Sequence, residues 1–250
     1  MTDTPTRPAA ATPQTDAPEP GRWCLTATPP AEALRRLPHM GKVMGVLRHR
    51  GATHERIGTV TDVTVTSDQA ILNGPVHTAR IDLDAVADVT LDTATIMQGK
   101  VFPVLDFRDA AGEVVFSVVG MDGATPFVTA FAQEDRSPIA PRERRMPAMS
   151  ATPETMEDDP GFALLDRLCA EGADLRIILH PRGRRQSWTG RIAEVRPAMG
   201  FANVMTEDFH LHLKAGAVHH WDETEAGFVA LDKDGRETGL VIEQLTERPA

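Results

Sequence analysis

Five side chains able to handle an anion or a metal fall within nine positions: Arg48, His49, Arg50, His54 and Arg56, in the stretch "MGKVMGVLRHRGATHERIG" with Lys42 just upstream. A neutral imidazole is a good ligand for iron. A guanidinium grips a carboxylate through two parallel hydrogen bonds. The basic patch could therefore hold a small anionic ligand, and His54 could be a ligand for something bound there. The other reading is structural. His54 caps the junction between a short helix and a strand, and Glu55 pairs with an arginine. Residue chemistry leaves both open.

A second cluster lies far along the chain. His210 and His212 alternate by two, so on a strand they share one face. His219 and His220 follow on a neighbouring strand and could complete a zinc, copper or iron site across a hairpin. No Asp or Glu stands at an obvious ligand spacing. Met40 and Met44 could offer sulfur near His54, although flexible methionine commonly fills cores.

Other chemistries are set aside. No Gly-rich phosphate loop, Ser-His-Asp order or nucleophile elbow is present, so no nucleotide cofactor is expected. Tyrosine is absent, which removes tyrosinate ligation. Cys24 and Cys169 are far apart without a CxxC, which argues against a disulfide framework or thiolate zinc and for a reducing cytoplasm. The net charge of −10 opposes general nucleic-acid binding, which needs surplus Lys and Arg. No apolar run reaches transmembrane length, and the N-terminus lacks an apolar signal core.

The elements that must position these groups divide the chain. Residues 1–22, rich in Pro, Thr and Ala, are expected to be disordered. Residues 136–159 carry four prolines and read as a linker, whose Arg142, Arg144 and Arg145 form either a docking patch or a solvated face. The spans 23–135 and 160–250 are then two units. Pro38 splits "AEALRRLPHMGKVMGVLRHRG" into a short helix and a segment of helix or strand ending at Gly51. From Thr59 the period is two, and strands follow with turn signals between them. The second unit opens with the amphipathic helix "GFALLDRLCAEG", closed by Gly172, and again gives way to strands. "DAAGE" at Asp109–Glu113 and "DKDGRE" at Asp232–Glu237 are matching hairpin turns. Gly58 matches Gly190, and "RIDL" at Arg80–Leu83 matches "HLHL" at His210–Leu213. The fold class is α+β: a tandem repeat of two antiparallel β-sheet units with flanking helices.

These residues also carry a resemblance. Gly41, Val43, Met44, Arg48, His54, Glu55 and Gly58 occupy the motif places of the bacterial haem-utilisation proteins of the HemS/ChuX type, the hemin-degrading factors. Independently, Arg182, Gly183, Gln186, Thr189 and Gly190 match a second motif. Asn203, Val204, Phe209, Leu211, His212 and Leu213 match a third, and Trp221 falls where a family Trp is common. The resemblance spans about Leu34 to Gln244. It implies sheets with helices packed on them, haem against a sheet face, an axial His and basic groups on the propionates. The chain departs from the family in the second half: the helical insert with its axial His has no counterpart, Thr224 and Glu225 replace a basic pair, and Val241–Gln244 replaces an aromatic and basic run. The C-terminal pocket therefore reads as erased and His54 as the surviving iron ligand, with Arg48, Arg50, Arg56 and Lys42 near it in sequence to offset the two propionates. Trp188, Phe201, Phe209 and Trp221 then belong to the core or a sheet face, and His54 is dispensable for folding.

The resulting expectation is a cytoplasmic haem-binding or haem-trafficking protein of a bacterial haem-utilisation system, whose partners are haem or another porphyrin-like molecule and haem-uptake machinery. The alternatives are a non-haem binding or regulatory protein reusing the scaffold, and thirdly a haem-degrading enzyme.

Overall fold

The computed structural model describes residues 20–97, 99–141 and 156–245. The tail before residue 20 and Arg142, Arg144 and Arg145 lie outside the described residues. The first half runs β1 (Arg22–Leu25), α1 (Pro30–Arg35), β2 (Lys42–His49), β3 (Ala52–Thr59), β4 (Asp62–Val65), β5 (Gln69–Asn73), β6 (Arg80–Asp82), β7 (Asp88–Asp92), β8 (Ile96–Met97), β9 (Lys100–Val101), β10 (Val104–Arg108), β11 (Val114–Gly120), α2 (Thr125–Ala130) and β12 (Arg136–Pro138). The second runs α3 (Pro160–Glu171), β13 (Leu175–Leu179), β14 (Arg184–Gly190), β15 (Arg196–Ala198), β16 (Phe201–Met205), β17 (Phe209–Lys214), β18 (His220–Thr224), β19 (Gly227–Leu231) and β20 (Glu237–Gln244).

The strands form two large antiparallel sheets and the small β8–β9 ribbon. The ten-stranded sheet is ordered β12-β1-β7-β10-β11-β2-β3-β17-β16-β15, and the eight-stranded sheet β18-β19-β20-β13-β14-β6-β5-β4. The repeat is visible in these orders. β7-β10-β11-β2-β3 matches β18-β19-β20-β13-β14, and the three-strand meander beside each comes from the other half. The two units are thus interlocked, each lending β4–β6 or β15–β17 to its neighbour's sheet. Register fixes the residue equivalence. His54 pairs with Leu47 as Gln186 pairs with Leu179, and Leu213 pairs with Ala52 as Ile81 pairs with Arg184. Both relations give one offset (186 − 54 = 213 − 81 = 132), so residues 42–82 correspond without gaps to 174–214. Arg80 is therefore the counterpart of His212, two residues from the match suggested by "RIDL" and "HLHL".

One local alternative is decided and two expectations change. After the short α1 and a 3-10 turn over Leu37–His39, the chain is already strand at Lys42. Arg50 (φ 41°) and Gly51 (φ 84°) then make a two-residue turn with both φ positive, the geometry that matches strand twist in a tight hairpin. His54 consequently sits in the middle of β3 and not at a helix junction. The expected linker begins as strand, because β12 pairs with β1. The second half opens as expected: Asp159 caps α3 by accepting from the Phe162 amide at 3.1 Å, and Gly172 (φ 62°) ends it.

Candidate functional site

Alternation along β3 decides which predicted residues can meet a ligand. Ala52, His54 and Arg56 point inward toward the other sheet, while Thr53 and Glu55 point outward. His54 is completely buried. Its Nε2–H donates to the Ile177 carbonyl at 3.2 Å, and its Nδ1 accepts from Gln186 Nε2 at 3.1 Å. Phe209 packs on the ring at 4.8 Å between centroids and itself stacks on Trp188 at 4.5 Å. Burial, with the Arg56 charge adding to it, pushes the imidazole down to about 3, so it stays neutral. Both nitrogens are committed to the second half of the chain. The expectation that His54 is the iron ligand is corrected accordingly: the ring offers no open coordination position.

The predicted basic ring also disperses. Arg56 is buried on the inward face, donating to Val76 O at 2.8 Å and pairing with Asp208 at 3.2 Å. Arg50, at the hairpin tip, pairs with Asp232 at 2.9 Å. Lys42 opens β2, six residues or roughly 20 Å of extended chain from Arg48. Arg48 alone faces the outer surface beside Glu55.

On that surface lies a cavity of about 450 Å³, within the roughly 300–1,000 Å³ typical of small-molecule sites. Its walls are mostly apolar, from Ala198, Met199, Phe201 and Met205, and its polar groups include Arg48, Glu55, Arg196 and His212. Met199 and Met205 are 66% and 59% exposed, two of the four large apolar side chains exposed among the described residues. Such a patch on one wall of a cavity marks a binding surface. Met199 (φ 53°) also holds a left-handed conformation that its side chain disfavours.

His212 is held in one tautomer. Asn203 Nδ2 donates to the carbonyls of Arg196 and Phe201, both at 3.0 Å, so its Oδ1 faces the imidazole. That oxygen accepts from His212 Nδ1 at 2.6 Å, which leaves Nε2 as the ring nitrogen turned toward Glu55. Nε2 is 3.7 Å from Glu55 Oε2, and His210 Nδ1 is 3.2 Å from the same oxygen. Burial alone would raise the Glu55 carboxyl, yet His210, hydrogen-bonded to it, and the His212 ring beside it bring it down to about 2. Glu55 is thus the carboxylate that was not visible in the spacing. It arrives from the other half through the β3–β17 register, which pairs it with His210. His219 and His220 do not join this group: His220 begins β18, at the far edge of the other sheet.

The counterpart position on the eight-stranded sheet has different chemistry. There Gln69, Arg80 and His180 replace Phe201, His212 and Arg48 around a smaller cavity of about 370 Å³ lined also by Arg182, Arg184 and Arg185. Each cavity draws strands from both halves, so neither belongs to one repeat.

Comparison with known proteins agrees with this architecture. The haem utilisation ChuX/HutX family matches residues 23–133. No curated protein matches the chain by sequence. Among solved structures, apo-PhuS, a haem-binding protein from Pseudomonas aeruginosa, is 17% identical with a TM-score of 0.66, over 91% of this chain and 82% of its own. Holo-PhuS from the same organism is 18% identical with a TM-score of 0.68, over 91% and 82%. ChuS, an E. coli haem oxygenase, is 18% identical with a TM-score of 0.67, over 91% and 84%. The chain therefore has the ChuS/PhuS-like fold, and its first half carries the haem-utilisation match.

Proposed function

We propose that this chain, whose first half matches the ChuX/HutX haem-utilisation family, binds haem or a similar porphyrin in the outer-face cavity and carries it within a haem-utilisation system. The observation that carries the reading is His212, an imidazole whose Nδ1 is engaged by Asn203 and whose Nε2 has no hydrogen-bond partner among the described residues, on the wall of an apolar cavity. Haem would bring an iron with an axial position for such a nitrogen, together with two carboxylates. Arg48 and Arg196 are the guanidinium groups at the rim, and Phe201, Met199 and Met205 supply apolar contact for a flat macrocycle. Among the described residues no helix is long and apolar enough to cross a membrane. Action in the cytoplasm, with haem-uptake machinery as the donor, belongs to the same proposal.

Titrating the protein with haem tests this. A saturable Soret shift is expected, and His212→Ala should weaken binding at least tenfold while Arg48→Ala weakens it severalfold. No saturable binding below about 10 µM, equivalent to roughly 7 kcal/mol, would count against haem and favour a regulatory protein on the same scaffold. Unchanged binding by His212→Ala would place the haem elsewhere.

A further inference from the structure

We propose that Glu55, His210 and His212 form a binding site for a free first-row divalent metal ion, of which Zn²⁺ is the natural probe. The three ligand atoms lie within 4.8 Å of one another and come from adjacent strands, β3 and β17. Two imidazole nitrogens and one carboxylate oxygen suit zinc or ferrous iron, and the cavity leaves further positions open to water. The second observation is the clamp on His212. With Nδ1–H given to Asn203, the other nitrogen, Nε2, faces a carboxylate oxygen at 3.7 Å, and when the ring is neutral that nitrogen is an acceptor like the carboxylate. Two acceptors facing each other are stabilised only by a cation or a proton between them. The Asn203 contact is also the outer-shell hydrogen bond that orients metal-bound imidazoles.

The repeat supplies an internal control. At the equivalent positions of the other sheet stand Ser187, Thr78 and Arg80, and the Ser187 and Thr78 hydroxyls pair at 3.1 Å. The same scaffold is thus satisfied by two hydroxyls and an arginine. Strand packing does not demand histidine or a carboxylate here, and among the described residues the three ligands come together on one sheet only.

The site stands without the haem reading, although His212 would serve either ligand, so the ion and haem should exclude one another. Zn²⁺ is titrated into the full chain against a chromogenic chelator, with thermal melting alongside. One ion per chain, bound tighter than about 10 µM and raising the melting temperature, is expected. Glu55→Gln and His210→Ala should each weaken Zn²⁺ at least tenfold, and Arg80→Ala on the other sheet should not. His210→Ala should keep the haem Soret shift, whereas His212→Ala loses both ligands. Zn²⁺ binding with no Soret shift would sink the haem reading alone. Failure of wild type to bind Zn²⁺, or binding untouched by both Glu55→Gln and His210→Ala, would overturn the metal site and leave the trio as a carboxylate–imidazole ion pair.

Discussion

At the scale of single residues, His54 and His212 show how one side-chain type divides between roles. Both histidines fall in motif places that resemble the haem-utilisation pattern. What separates them is the parity of their strands relative to the core, which a short motif does not display. His54 faces inward and meets Gln186, its own counterpart in the repeat, so the contact lies across the axis relating the halves. Its removal should cost stability and not ligand affinity. His54→Ala removes the ring's bond to the Ile177 carbonyl and its packing on Phe209, while Gln186 Nε2 keeps the Gly45 and His54 carbonyls as acceptors, so the cost should be about 1–3 kcal/mol. The pH dependence follows from the shift to about 3. The unfolded chain takes up a proton near pH 6.5 and the folded chain does not, so stability falls as pH drops from about 6.5 toward 3, by roughly 1.4 kcal/mol per pH unit. His77, also depressed by burial, adds to this slope. Glu55 acts at lower pH: its depressed carboxyl contributes stability above about 4.5 that is lost as pH falls toward 2. Urea midpoints measured between pH 7 and 5 should decline more steeply for wild type than for His54→Gln, and parallel slopes would refute the assignment.

Elements were legible where local chemistry is decisive. The helix from Pro160 to its glycine stop, the two Asp–Gly hairpins and most second-half strands follow from caps, turns and alternation. The β2–β3 hairpin was missed because Arg50 stands at a turn position that usually signals itself with Asn, Asp or Gly. The β15–β16 hairpin is hidden for the same reason, with Met199 and Gly200 at its tip (φ 53° and 78°). Replacing Met199 by Asn, which tolerates this conformation, should raise stability by about 1 kcal/mol and weaken haem affinity severalfold, as seen by paired denaturation and Soret titrations. Aromatic residues separate by their placement. Phe209 is fully buried between His54 and Trp188, so Phe209→Ala should cost about 3–5 kcal/mol. Phe201 is half-buried on the cavity wall. Trp221 is half-buried too, its indole N–H donating to the Pro160 carbonyl at 2.8 Å, so its truncation should cost less than that of Phe209.

For the whole molecule, the repeat could be read from sequence but the exchange of meanders could not. A three-strand meander has the same alternation whichever sheet edge it joins. A two-residue slip keeps every side chain on its face, which is why "RIDL" could be set against "HLHL" instead of two positions along. The exchange has consequences for folding. Residues 20–141 alone would leave the outer edge of β3 unpaired, because its neighbour β17 belongs to the second half, and would leave β4–β6 without β14. An exposed central edge seeks another strand. The isolated first half should therefore aggregate or form an intertwined dimer, each copy's β6 filling the place of β17. In that dimer Glu55 would face Thr78 and Arg80, the counterparts of His210 and His212, and the imidazoles of the cavity would be missing. Light scattering on the isolated half should show no folded monomer, and any soluble dimer should bind haem at least tenfold more weakly than the full chain. Mixing the two halves should restore both the native near-ultraviolet dichroism and the Soret shift. A monomeric, natively folded first half that binds haem as tightly as the full chain would show that the cavity does not depend on the exchanged strands.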